Sequence, residues 1–337
     1  MLILGIESSC DECAMAIVAD GEKILSHTIA TQIEFHRRFN GVVPEIASRM
    51  HTEWILSVFR DTLRDAGLKP ADLDGIAVTS RPGLSGSLLV GLSFAKGLAA
   101  ATGKRFIATD HILAHLYAPQ LAEPVQYPFI GLLVSGGHTL ICRMEAIDEL
   151  TVLGTTIDDA CGEAFDKVAK HFGMGYPGGV VVDRLARKGD SRAFNFPDAS
   201  LHKGDHRYDV SYSGLKTAVV NQLDQFWNQE FEKSVENIAA SFERAAIDML
   251  VRRLIRAVDD TGISTVVAGG GVAANSYLRQ SLAKHPGMEV HFPPLELCTD
   301  NGAMVAGLGY HYLRRGESSA WNVNVHARVN RFRHSYP

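Results

Sequence analysis

No stretch of this 337-residue chain approaches the uninterrupted apolar length of a membrane span. Its opening residues, Met1 to Glu7, carry no basic region followed by a long apolar run, so no secretory leader is expected there. Both absences predict cytoplasmic residence and no membrane partner. Cysteine is sparse and odd in number: Cys10, Cys13, Cys142, Cys161 and Cys298 form no disulfide framework and fit a reducing compartment. Cys10 and Cys13 do make a CxxC, but no second pair completes a zinc site and no thioredoxin-like context surrounds them. They read as small turn residues. Positive charge is not in excess either. With 33 Lys and Arg against 38 Asp and Glu the formal net charge is -5, which argues against gripping nucleic acid over the whole surface by counterion release. Local patches remain, at Arg252, Arg253 and Arg256 on one helix and at Arg328, Arg331 and Arg333 near the C-terminus; each also reads as a solvated helix face or a tail. The P-loop G-x-x-x-x-G-K-[ST] and a well-placed G-x-G-x-x-G are missing too.

What is present is an ordinary globular composition, 46% hydrophobic, long enough for two lobes with separate cores. Leu2–Glu7 and Ala14–Val18 read as two strands around a small polar turn, with a second turn at Asp20 and Gly21. The same grammar returns at Phe129–Val134, Ser135 to His138 and Thr139–Arg143, which suggests two related lobes. A helical pattern over Glu45–Ala66, a strand at Gly75–Thr79 and an apolar helix opened by Pro82 to Gly86 indicate an α/β lobe with parallel pairing beyond the hairpin. Later, a helix over Val235–Asp260 ends near Gly262. A buried strand at Ser264–Ala268 runs into Gly269 to Asn275 and a new helix, and a strand at Glu289–Phe292 precedes the Cys298–Gly302 turn and a last helix to about Arg315. The expected site lies in the cleft between the lobes, where loops after strands converge.

His111 and His115, four residues apart on one helix, can hold a single metal ion, and Asp300 offers a carboxylate from near the far end of the chain. Two histidines and a carboxylate are a ligand set for zinc or iron that leaves positions open for substrate. The zinc-protease motif H-E-x-x-H is excluded, because Ile112 stands where its general base would be. Three glycine turns each follow a predicted strand: Arg81–Gly86, Val134–His138 and Gly269–Asn275. Glycine lets backbone N–H groups approach a phosphate, so together they look like a nucleotide cradle, although each alone is also an ordinary tight turn. Asp166, Asp183 and Asn275 could hold sugar or base hydroxyls. Equally, Asp166 could be a surface residue paired with a lysine, and Asp183 a residue of a helix's first turn.

In order along almost the whole chain, Gly5–Asp11, Gly41–Glu45 with Ala47–Arg49, His111 with His115, Leu133–His138, Asp158–Ala160 with Gly162–Lys167, Tyr176–Gly179, Ser211–Thr217 and Cys298–Ala303 closely resemble the bacterial tRNA N6-adenosine threonylcarbamoyltransferases, the TsaD family. The resemblance implies an α/β actin-like ATPase (ASKHA) fold shared with sugar kinases, with two lobes of repeated βββαβα cores and a central cleft. It implies lobes at 1–110, completed by a C-terminal helix at about 301–325, and at 111–300. It further implies transfer of a threonylcarbamoyl group from threonylcarbamoyl-AMP to N6 of adenosine 37 in tRNAs reading codons that begin with A, with release of AMP. By the same resemblance His111, His115 and Asp300 hold one divalent metal ion, with iron expected ahead of zinc. Leu133, Val134, Ser135, Gly136, Gly137, Asp166, Gly179, Asp183 and Asn275 then bind the donor. The expected partners are tRNA, a TsaB-like paralogous subunit and a TsaE-like ATPase.

N6 of adenine would attack the carbamoyl carbon, so no nucleophilic side chain is required; the roles of Asp11 and Glu12 are open. The chain departs from the family pattern at Arg81, where glycine is usual, at Val180, where proline is usual, and in an extra glycine within Gly269–Gly271. None touches an expected metal ligand. The same glycine loops would serve an actin-like ATPase or small-molecule kinase, which needs no paired histidines. A noncatalytic scaffold would be favoured by loss of the histidines or Asp300, and all three are present.

Overall fold

The computed structural model describes residues 1–198 and 206–330; Arg331 and Arg333 of the expected C-terminal basic cluster lie outside the described residues. The chain divides into two compact units, one of Met1–Val125 with Pro293–Asn330 and the other of Gln126–Phe292. In the first, β1 (Leu2–Glu7), β2 (Glu12–Ala19) and β3 (Lys23–Thr31) form an antiparallel meander. It is followed by α1 (Ile33–Arg37), α2 (Pro44–Ala66), β4 (Gly75–Arg81), α3 (Ser85–Thr102), β5 (Arg105–Asp110) and α4 (His111–Tyr117). The sheet order is β3-β2-β1-β4-β5, with β4 parallel to β1 and β5 parallel to β4.

The second unit repeats this plan. A meander of β6 (Phe129–Val134), β7 (Thr139–Ala146) and β8 (Glu149–Thr155) is followed by α5 (Cys161–His171), α6 (Gly178–Ala186), α7 (Ser213–Asn221) and α8 (Val235–Thr261). Then come β9 (Thr265–Gly269), α9 (Ser276–Ala283) and β10 (Glu289–His291), giving the order β8-β7-β6-β9-β10. The two hairpins read from sequence thus occupy equivalent places in two sheets of the same topology. The chain then returns to the first unit with α10 (Gly302–Arg314).

These elements form for local reasons. In β1 every residue after Leu2 is buried, as expected of a strand covered on both faces. Leu4 and Ile6 join a core with Ile55, Val58, Phe59 and Leu63 of α2, whose spacing lines one helical face, and with Leu92, Ala95 and Ala99 of α3. The alternate residues of β1 belong to the opposite side. There α10 approaches so closely that a Cβ on Gly5 would lie 2.0 Å from the Gly302 carbonyl oxygen and 2.5 Å from Ala306 N. A Cβ on Gly302 would in turn meet the β2 backbone at Ala16 N, 2.4 Å away. In the second unit Ser234 caps α8 by accepting from Asn237 N at 3.2 Å, and Gly262 ends it at φ 69°.

Several expectations need correction. The divisions fall after Val125 and after Phe292, not after 110 and 300. α4 and the turn after it pack on α10, and the Tyr117 hydroxyl donates to the Gly21 carbonyl at 3.1 Å, so residues 111–125 belong to the first unit. Cys13 is not a turn residue but lies buried within β2, whose first residue is Glu12. The last helix stops at Arg314, as the residue pattern ending near Arg315 predicts and short of the 325 implied by the resemblance. Among the described residues, no helix is long and apolar enough to cross a membrane.

The contact of α10 with β1 leaves no room for a methyl group. Gly5→Ala is therefore expected to lower stability by about 2–3 kcal/mol through overpacking. Gly97 in α3 has nothing within 4 Å of a built Cβ, so Gly97→Ala should raise stability by about 0.5–1 kcal/mol. Urea unfolding midpoints of the two variants check both signs.

Candidate functional site

α4 begins at His111, directly after β5, so His111 sits at the strand's C-terminal end and His115 one helical turn on. Asp300 lies just before α10 and is fixed by its neighbour: Asn301 caps α10, accepting from Met304 N at 2.9 Å and donating to the carbonyls of Thr299 and Leu297 at 2.8 and 3.1 Å. The three side chains converge, each offering a ligand atom, with all three atoms within 4.8 Å of one another. His115 Nε2 lies 3.0 Å from Asp300 Oδ1, and His111 Nε2 lies 3.6 Å from the same oxygen. Two donors each about 2.1 Å from one ion stand roughly 3.0–3.4 Å apart at angles of about 90–110°, a spacing that His115 and Asp300 already have and that His111, at 3.6 Å from the same oxygen, would reach by a small inward shift.

Three residues not singled out as site positions complete this cluster. Glu7, fully buried at the end of β1, places Oε2 3.1 Å from His111 Nδ1. Its carboxylate also accepts from Ser9 N and from Thr79 Oγ1, each at 2.6 Å. Ser9 Oγ lies 3.2 Å from His111 Nδ1 and donates to Asp300 Oδ2 at 3.4 Å. The available signal was a lone carboxylate closing an apolar strand, which needs a partner once buried.

Burial opposes ionisation throughout, and the neighbours decide the outcome. Burial would raise the Glu7 and Asp300 carboxyls, but His111, helped at Asp300 by His115, holds both below the usual carboxylate range. Burial would lower His111, and Asp300 and Glu7 outweigh it, lifting the imidazole to about 9. His115 is pushed down by burial and then by His111. A divalent cation would balance the two carboxylates with both imidazoles neutral, so the donor set also fits a metal in charge. Of the two carboxylates whose roles were open, Asp11 is buried, whereas Glu12 is raised well above the usual range by burial, Asp11 and Asp300.

In the second unit β6 ends at the Ser135–Gly137 turn. Leu133 and Val134 are fully buried, so only their backbone can meet a ligand. The turn closes on itself through Ser135 N to His138 O at 2.8 Å and His138 N to Ser135 Oγ at 3.1 Å. Gly162 at the start of α5 donates to Ser135 O at 3.2 Å, and Gly270 lies against Val134 with φ 93°. Gly136 and Gly137 themselves are exposed, have ordinary φ, and would meet nothing within 4 Å with a Cβ; Gly179 is equally open. The fold does not require glycine at these three positions, and the space in front of them is what glycine preserves.

Asp166 accepts from Gly178 N at 2.6 Å, anchoring the first residue of α6. Asp183 is the sixth residue of α6, beyond its first turn; it accepts from Ser276 N at 3.1 Å and pairs with Arg187. Asn275 caps α9 with Oδ1 on Leu278 N at 2.9 Å and donates from Nδ2 to buried Glu243 at 2.6 Å. Each of these polar residues therefore fastens a helix start. Asp158 does likewise for α7, accepting from Tyr212 N at 2.8 Å and Ser213 N at 3.3 Å.

Of the α8 arginines, Arg253 is buried and donates to the Asp209 carbonyl at 3.1 Å, while the exposed Arg252 pairs with Asp198 at 2.8 Å and the exposed Arg256 donates to the Arg207 carbonyl at 3.2 Å. Arg81 clamps Asp110, the residue before α4, through Nε and Nη2 at 2.6 and 3.2 Å. Val180 is 69% exposed, and nothing in the structure explains its presence.

The family model for tRNA N6-adenosine threonylcarbamoyltransferase, TsaD, matches residues 23–307. The chain belongs to the TsaD family. A tRNA N6-adenosine threonylcarbamoyltransferase of Treponema denticola is 61% identical over 98% of each chain, and one of Borrelia garinii is 51% identical over 100% of this chain and 99% of its own. Among solved structures, the Acidaminococcus fermentans (R)-2-hydroxyglutaryl-CoA dehydratase component A has a TM-score of 0.58 at 17% identity, covering 94% of this chain and all of that one. HypF of T. kodakarensis has a TM-score of 0.62 at 14% identity, covering 93% of this chain and 48% of its own. Identities this low speak for the fold alone, which is the actin-like ATPase fold, as the repeated sheet topology of this TsaD-family chain suggests.

Glu243 yields a prediction about pH. Burial, opposed by its hydrogen bond from Asn275 and aided by Asp183, raises its carboxyl from 4.5 to about 7. A raised carboxyl binds its proton more tightly when folded, so its contribution is full below about pH 4.5 and lost as pH rises through 7. Relative to Glu243→Gln, the unaltered protein should lose on the order of 2–3 kcal/mol between pH 4.5 and 8. Parallel stability–pH curves for the two proteins would rule this out.

Proposed function

We propose that this chain transfers the threonylcarbamoyl group of threonylcarbamoyl-AMP to N6 of adenosine 37 in tRNAs that read codons beginning with A. The observation that carries the reading is family membership along nearly the whole chain, with relatives of the same name matched end to end. In the reaction a bond forms between N6 and the carbamoyl carbon, the bond from that carbon to the phosphate oxygen breaks, N6 gives up a proton, and AMP leaves. The nucleophile belongs to the RNA. This suits a chain whose Cys13, Cys142 and Cys161 thiols are pushed by burial up to about 12 and thus stay protonated at neutral pH.

The open backbone at Gly136, Gly137 and Gly179 lets amide N–H groups approach the leaving phosphate without intervening side chains. Leu133, Val134 and Ser135 lend backbone to the same loop, while Asp166, Asp183 and Asn275 orient the donor's hydroxyls and base. His111, His115 and Asp300 hold one divalent ion, iron in preference to zinc. Such an ion, when bound, supplies Lewis-acid polarisation and orientation of the donor. With a net charge of -5 and the α8 arginines engaged in internal contacts, the chain shares its grip on tRNA with a TsaB-like subunit and a TsaE-like ATPase, in the cytoplasm.

Incubated with tRNA, threonylcarbamoyl-AMP and those partners, the protein should convert adenosine 37, as read by mass spectrometry of digested tRNA. Unmodified tRNA from the complete mixture would refute the reading. His111→Ala should remove bound metal by elemental analysis, and full transfer by a metal-free His111/His115 double variant would sink the metal role. Gly137→Ala should leave the unfolding midpoint unchanged while raising KM for the donor about tenfold, about 1.4 kcal/mol of lost binding.

A further inference from the structure

Glu7 is a fully buried carboxylate to which neither the chemistry of transfer nor the ligand trio assigns a task. Its place is well determined: Oε1 accepts from Ser9 N and Oε2 from Thr79 Oγ1, both at 2.6 Å, which leaves Oε2 facing His111 Nδ1 at 3.1 Å. A carboxylate at one imidazole nitrogen keeps the proton there and turns the lone pair of the other nitrogen outward. On His111 that other nitrogen is Nε2, which faces Asp300 Oδ1. The two histidines differ in this respect. His115 Nδ1 is buried and has no hydrogen-bond partner among the described residues, so nothing comparable sets its tautomer.

We infer that Glu7 is a positioning residue for the metal centre, fixing the Nδ1–H tautomer and ring orientation of His111 so that Nε2 is presented as a ligand beside Asp300. This rests on the metal reading proposed above. The contact runs from the end of β1 to the first residue of α4, so the strand that centres the sheet also sets the aim of the first ligand. Ser9 supports the arrangement from the same turn, with Oγ 3.2 Å from His111 Nδ1 and donating to Asp300 Oδ2 at 3.4 Å. Outer carboxylates of this kind typically strengthen metal binding about 10–100-fold.

The test measures metal affinity and ligand atom, not turnover. Zn2+ affinity is determined by chelator competition on the full chain, and the histidine nitrogens of 113Cd-loaded, 15N-labelled protein are assigned by NMR. Glu7→Gln keeps the side chain's shape but leaves one oxygen for three donors, and it should weaken Zn2+ binding about 10–100-fold. In the unaltered protein, coupling to cadmium should appear at His111 Nε2, with the proton on Nδ1. An affinity for Glu7→Gln within twofold of the original, while His111→Ala abolishes binding, overturns the role of Glu7 and leaves the metal site standing. Failure of the unaltered protein to bind Zn2+ or Cd2+ overturns both. Should Glu7→Gln not fold, the NMR assignment on the unaltered chain decides alone, and cadmium on His111 Nδ1 refutes the inference.

Discussion

The approach of α10 to β1 governs the position of the cluster of His111, His115 and Asp300. Asp300 precedes α10 by only two residues, so wherever the helix settles on the sheet determines where that carboxylate stands. Gly5 and Gly302 let backbone meet backbone, and the fit is too tight for a methyl group at either. Further along the same helix, Gly309 lies against Ala77, where an added Cβ would come within 2.2 Å. Small residues here act through the room they leave, and a helix seated further out would carry Asp300 away from His115 Nε2.

The second constraint is electrostatic. Glu7 and Asp300 bring two carboxylates into a region where lone charges are costly, and the protein arranges imidazoles between them. Burial disfavours the charged form of both imidazoles; the facing carboxylates outweigh it at His111 and do not at His115. In the other unit the polar residues meet a different need. Asp166, Asp183 and Asn275 satisfy the free amides at helix starts, which keeps their side chains fixed before any ligand arrives.

Much of this was legible beforehand, for identifiable reasons. The hairpins at Leu2 and Phe129 and the long helices α2 and α8 announce themselves by strict periodicity and by ending at Gly67 and Gly262, both in the left-handed region. The histidine spacing places two rings on one helical face whatever the surroundings. Glu7 was not legible as a site residue, because its partner lies 104 positions away and only the fold joins them. The unit boundary is hidden for a related reason: His111–Tyr117 reads as the start of something new, whereas it packs on α10, a helix nearly two hundred residues downstream. The place of Cys13 is hidden because a CxxC draws attention to a turn, while its second cysteine is an ordinary apolar strand residue.

The return of the chain to its first unit has a consequence for the order of manufacture. Domains generally fold as they leave the ribosome, the N-terminal one first. Here the unit begun first is finished last, since β1 and β2 have no α10 to cover them until the other unit has been synthesised. A nascent chain can carry both histidines for most of its translation without the Asp300 carboxylate to join them. The convergence of Asp300 with the two histidines is thus a late product of synthesis, and a chain truncated before α10 would keep the three residues without the helix that seats the carboxylate.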